Sequence, residues 1–502
     1  MTALSSSIAA VRRRPVVAAL LLLIVVLGAA LRIDKLGTGT RVSVDERSYL
    51  GIANNMVVHR SYAYGKDPLH WAPGTPFLFA AAMKLTGSGP IDQRLPGQKN
   101  VAVYAQTLVS ILAIPAVFAF AAWLGGAWAG LLAALMTAIF DPLVLVSRSY
   151  LSEPLGGLFF VLAVFAFCVA LSRPGRSWKL AGGAGALLGL AVLSRNDLLL
   201  LFGVMPGLAF LFTWRRESLR EGFRLGALLV AGAVITVLPW VTYASIEQKR
   251  LTPITTAGPS SLWVATYLPA GGRQIIVKRQ FMKEVCATFP DRQDACGVTA
   301  TQMDMRLIFE LLQRRHPGLT QDEAIQAELD RNIQDYALGQ PLKFANMLLD
   351  KSTRIWGRPW GGGAIGRQES SVLQHHVLLG ISLIGMLAAL FLAGRRRRYV
   401  ALGFAALFAV TALNTIFVSE SRMSLRMVPL LFAIGIGGIG AIVRARLGDD
   451  EPLPESPQGD AADEAPTTDG ASRGAGDEVA PVGAEPATMA EASTTPEPSP
   501  SS

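Results

Sequence analysis

The sequence predicts an all-α polytopic membrane protein with about ten transmembrane helices, and three observations predict it. Apolar runs long enough to cross a bilayer recur along the 502 residues. Lys and Arg cluster at alternate junctions between those runs, the asymmetry that sets orientation in a membrane. Charged residues are only 17% of the chain against 51% hydrophobic, and the mean hydropathy of +0.38 excludes a soluble protein of this size. The net charge of +9 sits largely beside the apolar runs, so it reads as topology rather than as nucleic-acid binding.

In chain order, Arg12-Arg13-Arg14 before the run Pro15 to Leu31 has the charge and length of an uncleaved signal anchor. Spans are expected at about 15–32, 101–122, 127–146, 154–171, 179–194, 197–214, 225–245, 372–393, 399–418 and 427–443. Arg12 to Arg14, then Arg173, Arg176 and Lys179, then Arg215, Arg216, Arg220 and Arg224, then Arg395 to Arg398, and Arg444 with Arg446 then share one side, the cytoplasm. Two spans meet in a tight turn at Ser194-Arg195-Asn196-Asp197, which fits a shallow hairpin as well as two full crossings. The chain therefore divides into a cytoplasmic N-terminus (1–14) and a transmembrane core (15–246) that includes an outer loop (33–100). An extracytoplasmic, mostly helical segment (247–371), C-terminal transmembrane helices (372–443) and a tail (444–502) complete it. Within the outer segment, Asn332 to Trp356 reads as an amphipathic helix on the membrane surface. From about residue 448 the chain is Pro, Ala, Glu, Asp, Ser and Thr, too polar to bury a core, and is expected to be a disordered cytoplasmic tail. Cys168 lies in an apolar run, whereas Cys286 and Cys296 lie in the outer segment, where a disulfide and two separate thiols both remain open.

The chemistry-bearing residues gather on the outer side. Val44-Asp45-Glu46-Arg47-Ser48-Tyr49 follows the first span; its adjacent carboxylates repel unless a cation or a raised pKa relieves them. A carboxylate at a membrane surface can take a proton from an acceptor hydroxyl. Asp45 as N-cap with Glu46 in the first turn is the structural alternative. Ser152-Glu153-Pro154 opens the fourth span and also reads as an ordinary helix start, with an Arg148–Glu153 ion pair open. Arg148, Arg195, Arg422 and Arg426 all sit at outer ends of spans, against the positive-inside bias. A lone arginine there snorkels to headgroups, but four together suit bidentate phosphate recognition. Arg422 and Arg426, four apart, are expected on one helix face. His70 and Trp71 precede a Pro-rich loop; His70 is a candidate acid/base and Trp71 a candidate sugar platform or interface anchor. No HExxH, P-loop, Rossmann glycine pattern or CxxC pair is present, so no zinc, nucleotide or nicotinamide cofactor is expected.

The order of these motifs (DERSY, HWAPGTP, YLSEPL, LSRND and SESRMSLRMVP) resembles the GT-C superfamily of polytopic glycosyltransferases. It is most similar to the bacterial branch like protein O-mannosyltransferases and the aminoarabinose transferase acting on lipid A. LTPITTAGPSSLW looks like that branch's extended stretch after the seventh span, and QPLKFANMLLDKSTRIW resembles its amphipathic helix. The likeness spans about residues 15–443; the order and side of the motifs carry it, since no one of them is specific. It departs from the family at Met423, where a Tyr often follows the late arginine, and at WAPGTP, which lacks a double proline.

The resemblance implies a GT-C-like fold and a transferase at the plasma membrane. It would move a sugar from a polyprenyl-phosphate donor to a hydroxyl or amine on a lipid, polysaccharide or protein acceptor of the cell envelope, with inversion and without a metal. By position, Asp45 would be the base with Glu46 beside it, Glu153 a second acid, Arg195 and Arg422 the donor-phosphate ligands, and Tyr49 part of the lining. A transporter or lipid flippase is the alternative, but transporters place ionisable groups near the bilayer midplane, and here the middles of the spans are nearly free of charge. A non-catalytic scaffold would leave the acidic pair and the outward arginines without a shared purpose.

Overall fold

The computed structural model describes residues 15–34, 36, 43–65, 68–92, 99–173, 177–213, 219–292, 295–300, 302–360 and 369–448. Arg12 to Arg14, Arg176, Arg215, Arg216 and the tail from 449 onward lie outside the described residues. Among the described residues there is no β-strand. The helices are α1 (Pro15–Asp34), α2 (Val44–Val58), α3 (Gly74–Thr86), α4 (Val101–Gly125), α5 (Ala127–Ile139), α6 (Asp141–Val146), α7 (Glu153–Ser172), α8 (Trp178–Ser194) and α9 (Leu201–Thr213). They continue as α10 (Leu219–Gln248), α11 (Gly258–Thr266), α12 (Gln274–Thr288), α13 (Met305–Arg315), α14 (Gln321–Asn332), α15 (Pro341–Trp356), α16 (Glu369–Leu392), α17 (Arg397–Ile416) and α18 (Val428–Arg446).

By length and composition, seven helices can cross a membrane: α1, α4, α7, α10, α16, α17 and α18. Three shorter apolar helices, α5, α8 and the stretch Asn196–Phe212, occupy the remaining expected positions. The run expected as one span over 127–146 is broken at Phe140, because Pro142 has no N–H to extend the ladder of α5 and instead sits in the first turn of α6. The turn after α8 is an extended Arg195 followed by a 3-10 turn, Asn196–Leu200.

α18 is the hub. It is buried over most of its length against α4, α5 and α16, and Gly435 and Gly437 let those backbones approach. A Cβ at Gly437 would lie 3.0 Å from Ala121 Cα, and one at Gly435 2.3 Å from Ser382 O. α1 fully buries only Val17, Gly28 and Arg32; Leu20, Leu21, Ile24 and Val25 pack partly against α4 and α5, while Val16, Leu22, Leu23, Val26 and Ile33 face outward as lipid would require. Arg32 is fully buried, donating to Gly28 O, Ala138 O and Thr137 O at 3.0–3.1 Å and to Ser110 Oγ at 2.9 Å. The carbonyl end of α5 thus receives a cation, which its dipole favours.

The polar segment has its own core, in which Trp263, Val277, Phe281, Leu307, Leu311 and Ile325 join α11 to α14. Cys286 and Cys296 form a disulfide there. The amphipathic stretch is not one helix from Asn332 to Trp356. It is a π turn, Ile333–Leu338, then a break at Gly339 and a restart at Pro341, the two residues that punctuate a helix most strongly. Leu338 in the π turn and Leu342 and Leu349, which share a face of α15, are 64–80% exposed, an apolar stretch that suits a membrane surface. Lys351 on α15 is fully buried and donates to Ala265 O (3.1 Å) and Ile416 O (3.2 Å), in the last turns of α11 and α17. It pins the polar segment to a membrane helix.

Two outcomes follow. Gly185 on α8 packs against α10 so closely that a Cβ would fall 2.0 Å from Leu229 O, whereas Gly183 faces open space. Gly185→Val should lower stability by about 1–3 kcal/mol, and Gly183→Val should not, as read from thermal midpoints in lipid. Burial lowers the Lys351 pKa from 10.5 to about 7. Between those values the unfolded chain holds a proton that the folded chain has lost, so stability rises with pH across that window. Thermal midpoints at about pH 6 and pH 9 should show this rise in the native chain and its loss in Lys351→Met.

Candidate active site at the helix ends

α2 begins where the motif reading expected a helix, but Asp45 is not its cap. Ser43, extended at φ −66°, ψ 168°, is the N-cap, and it forms a capping box with Glu46. The Ser43-Val44-Asp45-Glu46 spacing is the sequence signature of that box. Glu46 is consumed by it: Oε2 accepts from Ser43 N at 2.8 Å and Oε1 from Tyr150 N at 3.1 Å. Asp45, the next residue around the helix, faces elsewhere and pairs with Arg422 (Oδ2–Nη2, 2.5 Å). The repulsion expected between these neighbours is relieved by opposite partners.

Ser152 does not cap α7 with its hydroxyl. Its Oγ instead accepts from Tyr49 OH (3.3 Å) and from Arg195 Nη1 (3.2 Å). Glu153, 1% exposed, has Oε1 3.4 Å from Arg195 Nη1 and 3.9 Å from Arg422 Nε. Its partners are therefore these two arginines and not Arg148, which is half-buried and feels the charge of Glu46. Among the described residues Glu153 Oε2 has no hydrogen-bond partner although buried. Arg422 also lies 2.9 Å from Glu420. Burial acts to lower its pKa, but the charges of Asp45, Glu420 and Glu153 outweigh that and raise it well above the ordinary value.

Arg422 and Arg426 do not share a helix face. Residues 421–424 form a 3-10 turn and α18 starts only at Val428, its second residue a proline. The chain reversal carries Arg426 inward, where it is fully buried and bonds to Asp197 and to Asn414 Oδ1 (2.8 Å). Asn414 in turn donates to Asp197 Oδ2 at 2.9 Å. Met423, in the place where a Tyr was expected, accepts at Sδ from Arg195 Nη2 (3.0 Å) and Arg426 Nη1 (3.4 Å).

Some of these groups border a cavity of about 1430 Å³ between the helix ends and the polar segment. Asp45, Tyr49, His70, Trp71, Arg195 and Arg422 line it; Glu46, Arg148, Glu153 and Arg426 do not. Trp71 is wedged between Tyr49 and His70, with ring centroids at 5.3 and 4.9 Å. Burial raises the Tyr49 pKa, with Arg195 opposing, so this phenol stays protonated and donates. The extended stretch after α10 closes one side: Thr256 N donates to Leu69 O (3.0 Å), and Asn196 Nδ2 to Thr255 Oγ1 (3.0 Å). Among the described residues no group of three or more His, Cys, Asp or Glu is arranged to hold a metal ion.

Four residues of this site went unassigned in the sequence reading: Asp197, Glu420, Asn414 and Lys278. Asp197 and Glu420 stand inside the LSRND and SESR motifs, and Asn414 is a lone amide in the apolar run of α17, which is a legible signal. Lys278 carries no local signal, because only the packing of α12 brings it to the cavity.

The fold is GT-C-like, similar to that of solved oligosaccharyltransferases. Residues 71–243, about a third of the chain, match a family described as dolichyl-phosphate-mannose-protein mannosyltransferase. Among solved structures the chain is similar to the archaeal oligosaccharyltransferase AglB from Archaeoglobus fulgidus in complex with an inhibitory peptide and a dolichol-phosphate. That match has 14% identity and a TM-score of 0.50, covering 88% of this chain and 51% of that one. The apo form of the Archaeoglobus fulgidus oligosaccharyltransferase gives 14% identity and a TM-score of 0.51, over 86% and 51%. ArnT from Cupriavidus metallidurans bound to undecaprenyl phosphate gives 14% identity and a TM-score of 0.39, over 86% and 79%. The chain spans about half the length of the archaeal structures it matches. No curated protein matches it in sequence.

Proposed function

We propose that this protein is an integral membrane glycosyltransferase that moves a sugar from a polyprenyl-phosphate donor to an acceptor hydroxyl or amine on the outer face of the membrane. The observation that carries this reading is the convergence of Asp45, Arg195 and Arg422, from three segments far apart in sequence, on the lining of a 1430 Å³ cavity. The matched family's description names a dolichyl-phosphate sugar, and the archaeal neighbour is bound to a dolichol-phosphate, which agrees with a lipid-phosphate donor. A disulfide in the polar segment suits an oxidising outer compartment.

In this reading Asp45 takes the proton of the acceptor as its oxygen or nitrogen attacks the anomeric carbon. The bond from that carbon to the phosphate oxygen breaks, and attack opposite the phosphate inverts the centre. The lipid phosphate leaves with its bonding pair onto Arg195 and Arg422, whose donors are fixed in advance by Glu153, Ser152 and Asp197. Arg422 exchanges Asp45 for phosphate when donor enters, which frees the base. Glu153 holds both arginines and is the second acidic residue of the site. Glu46 fixes the start of α2 and hence the place of Asp45. Arg426 acts through Asp197 and does not touch donor. Trp71, with His70 beside it, offers the sugar a face, and Tyr49 a hydroxyl. The described spans carry their charges near their ends, which disfavours the transporter reading.

Purified protein in lipid, offered labelled polyprenyl-phosphate sugars with a membrane extract as acceptor, tests this. Asp45→Asn should lower turnover by about 10²–10⁴-fold while donor binding persists, and full activity would overturn the assignment of the base. Arg195→Ala and Arg422→Ala should each cost about 10²–10³-fold and weaken donor affinity; unchanged affinity in both would move the phosphate site elsewhere. Folded protein that transfers from no donor but flips lipid would favour a flippase.

A further inference from the structure

The cavity is larger than the roughly 300–1,000 Å³ typical of a single small-molecule site. Its far wall belongs to the polar segment, and the charges there are nearly all spent on one another. Arg306 pairs with Asp304 at 3.1 Å. Glu310 is held by Arg292 at 3.1 Å, and Asp322 by Arg250 at 2.5 Å. Arg314 donates to Thr288 O and lies 4.4 Å over the Phe289 ring. On the near wall, Arg195 and Arg422 are engaged by the carboxylates described above.

Lys278 is different. It lines the cavity from α12, is 8% exposed, and among the described residues makes no hydrogen bond and no ion pair within 4.0 Å. Asp304, Asp45 and Glu420 act on it only from a distance, and its burial, the largest effect, lowers its pKa. Its side chain is largely enclosed while its ammonium faces the cavity, so three donors without a close protein acceptor are offered to whatever occupies that space. The group that complements it is an oxyanion, and the charges of Asp304 in the polar segment and of the reacting carboxylate Asp45 both reach it.

We propose that Lys278 binds an anionic group of the acceptor, so that the acceptor is an acidic molecule with a carboxylate or phosphate near the hydroxyl or amine that is glycosylated. This rests on the reading in which Arg195 and Arg422 hold the donor phosphate. Those two arginines stand at the ends of membrane helices, where a lipid phosphate arrives. Lys278 reaches in from the polar segment and not from a membrane helix, the side from which, in this reading, a water-borne or envelope acceptor enters. Charge pairing there selects acceptors by excluding neutral ones, which would leave the ammonium without an acceptor.

The test uses the full chain in lipid, as wild type, Lys278→Met and Lys278→Arg, with Arg195→Ala beside them. The acceptor-side probes are glucuronic acid, glucose 6-phosphate and glucose; the donor-side probe is undecaprenyl phosphate. Wild type should bind the two acidic sugars at least about tenfold tighter than glucose. Lys278→Met should lose that preference and Lys278→Arg regain part of it, both with undecaprenyl phosphate affinity unchanged. Loss of undecaprenyl phosphate affinity in Lys278→Met, with the sugar preference intact, would assign Lys278 to the donor and overturn the proposal. Equal binding of all three sugars by wild type, or a preference that survives in Lys278→Met, would also overturn it. Undecaprenyl phosphate binding that Arg195→Ala leaves unaltered would instead undermine the donor-site reading.

Discussion

A guanidinium or ammonium at the edge of a bilayer has to find acceptors, and this fold is arranged around that requirement. Arg32, Arg426 and Lys351 are fully buried, and none is satisfied from its own helix alone. Arg32 takes the carbonyl end of α5, Lys351 takes the carbonyl ends of α11 and α17, and Arg426 takes Asp197 and Asn414. Breaking a buried pair from one side strands a charge, at a cost of about 3–5 kcal/mol. Each such contact therefore fixes the relative position of segments far apart in sequence. The walls of the cavity are held by the same contacts that keep the charges out of the hydrocarbon.

Because these structural cations are satisfied, the remaining charges can be placed for chemistry. Arg426 anchors Asp197, Asp197 stands beside Arg195, and Arg195 reaches Glu153 and Ser152. Preorganised donors of this kind cost no reorganisation at the moment of reaction, which is where electrostatic catalysis gains most. The adjacent carboxylates of α2 show the same division of labour. Successive residues of a helix point about 100° apart, so Glu46 turns to the backbone while Asp45 turns to the cavity. Two identical charges side by side in sequence thus hold two unlike positions.

The apolar runs, the amphipathic stretch and the gathering of the acidic and basic motifs at the ends of those runs are legible in the chain, because hydropathy and charge asymmetry are local properties. The helix start at Ser43 was legible too, through the capping-box spacing. The break at Phe140 and the division of the 332–356 stretch are also written locally, in Pro142, Gly339 and Pro341. What the chain does not show is which arginine faces the cavity. Arg148, Arg195, Arg422 and Arg426 look alike as sequence, yet one feels Glu46, two line the cavity and one is fully enclosed.

The sequence by itself determined the helical, membrane-spanning class, the order of the motifs and the segregation of charge to the ends of the spans, since bilayer thickness and backbone hydrogen bonding leave little else possible. Only the tertiary structure decided the pairing of Asp45 with Arg422 and the enclosure of Arg426. It alone also brought Lys278, some 230 residues from Asp45 in the chain, to the same cavity. The physical reason is that partner choice among charges depends on which helix ends meet in space. That is set by close packing around α18 and by the docking of the polar segment, neither of which has a local signature.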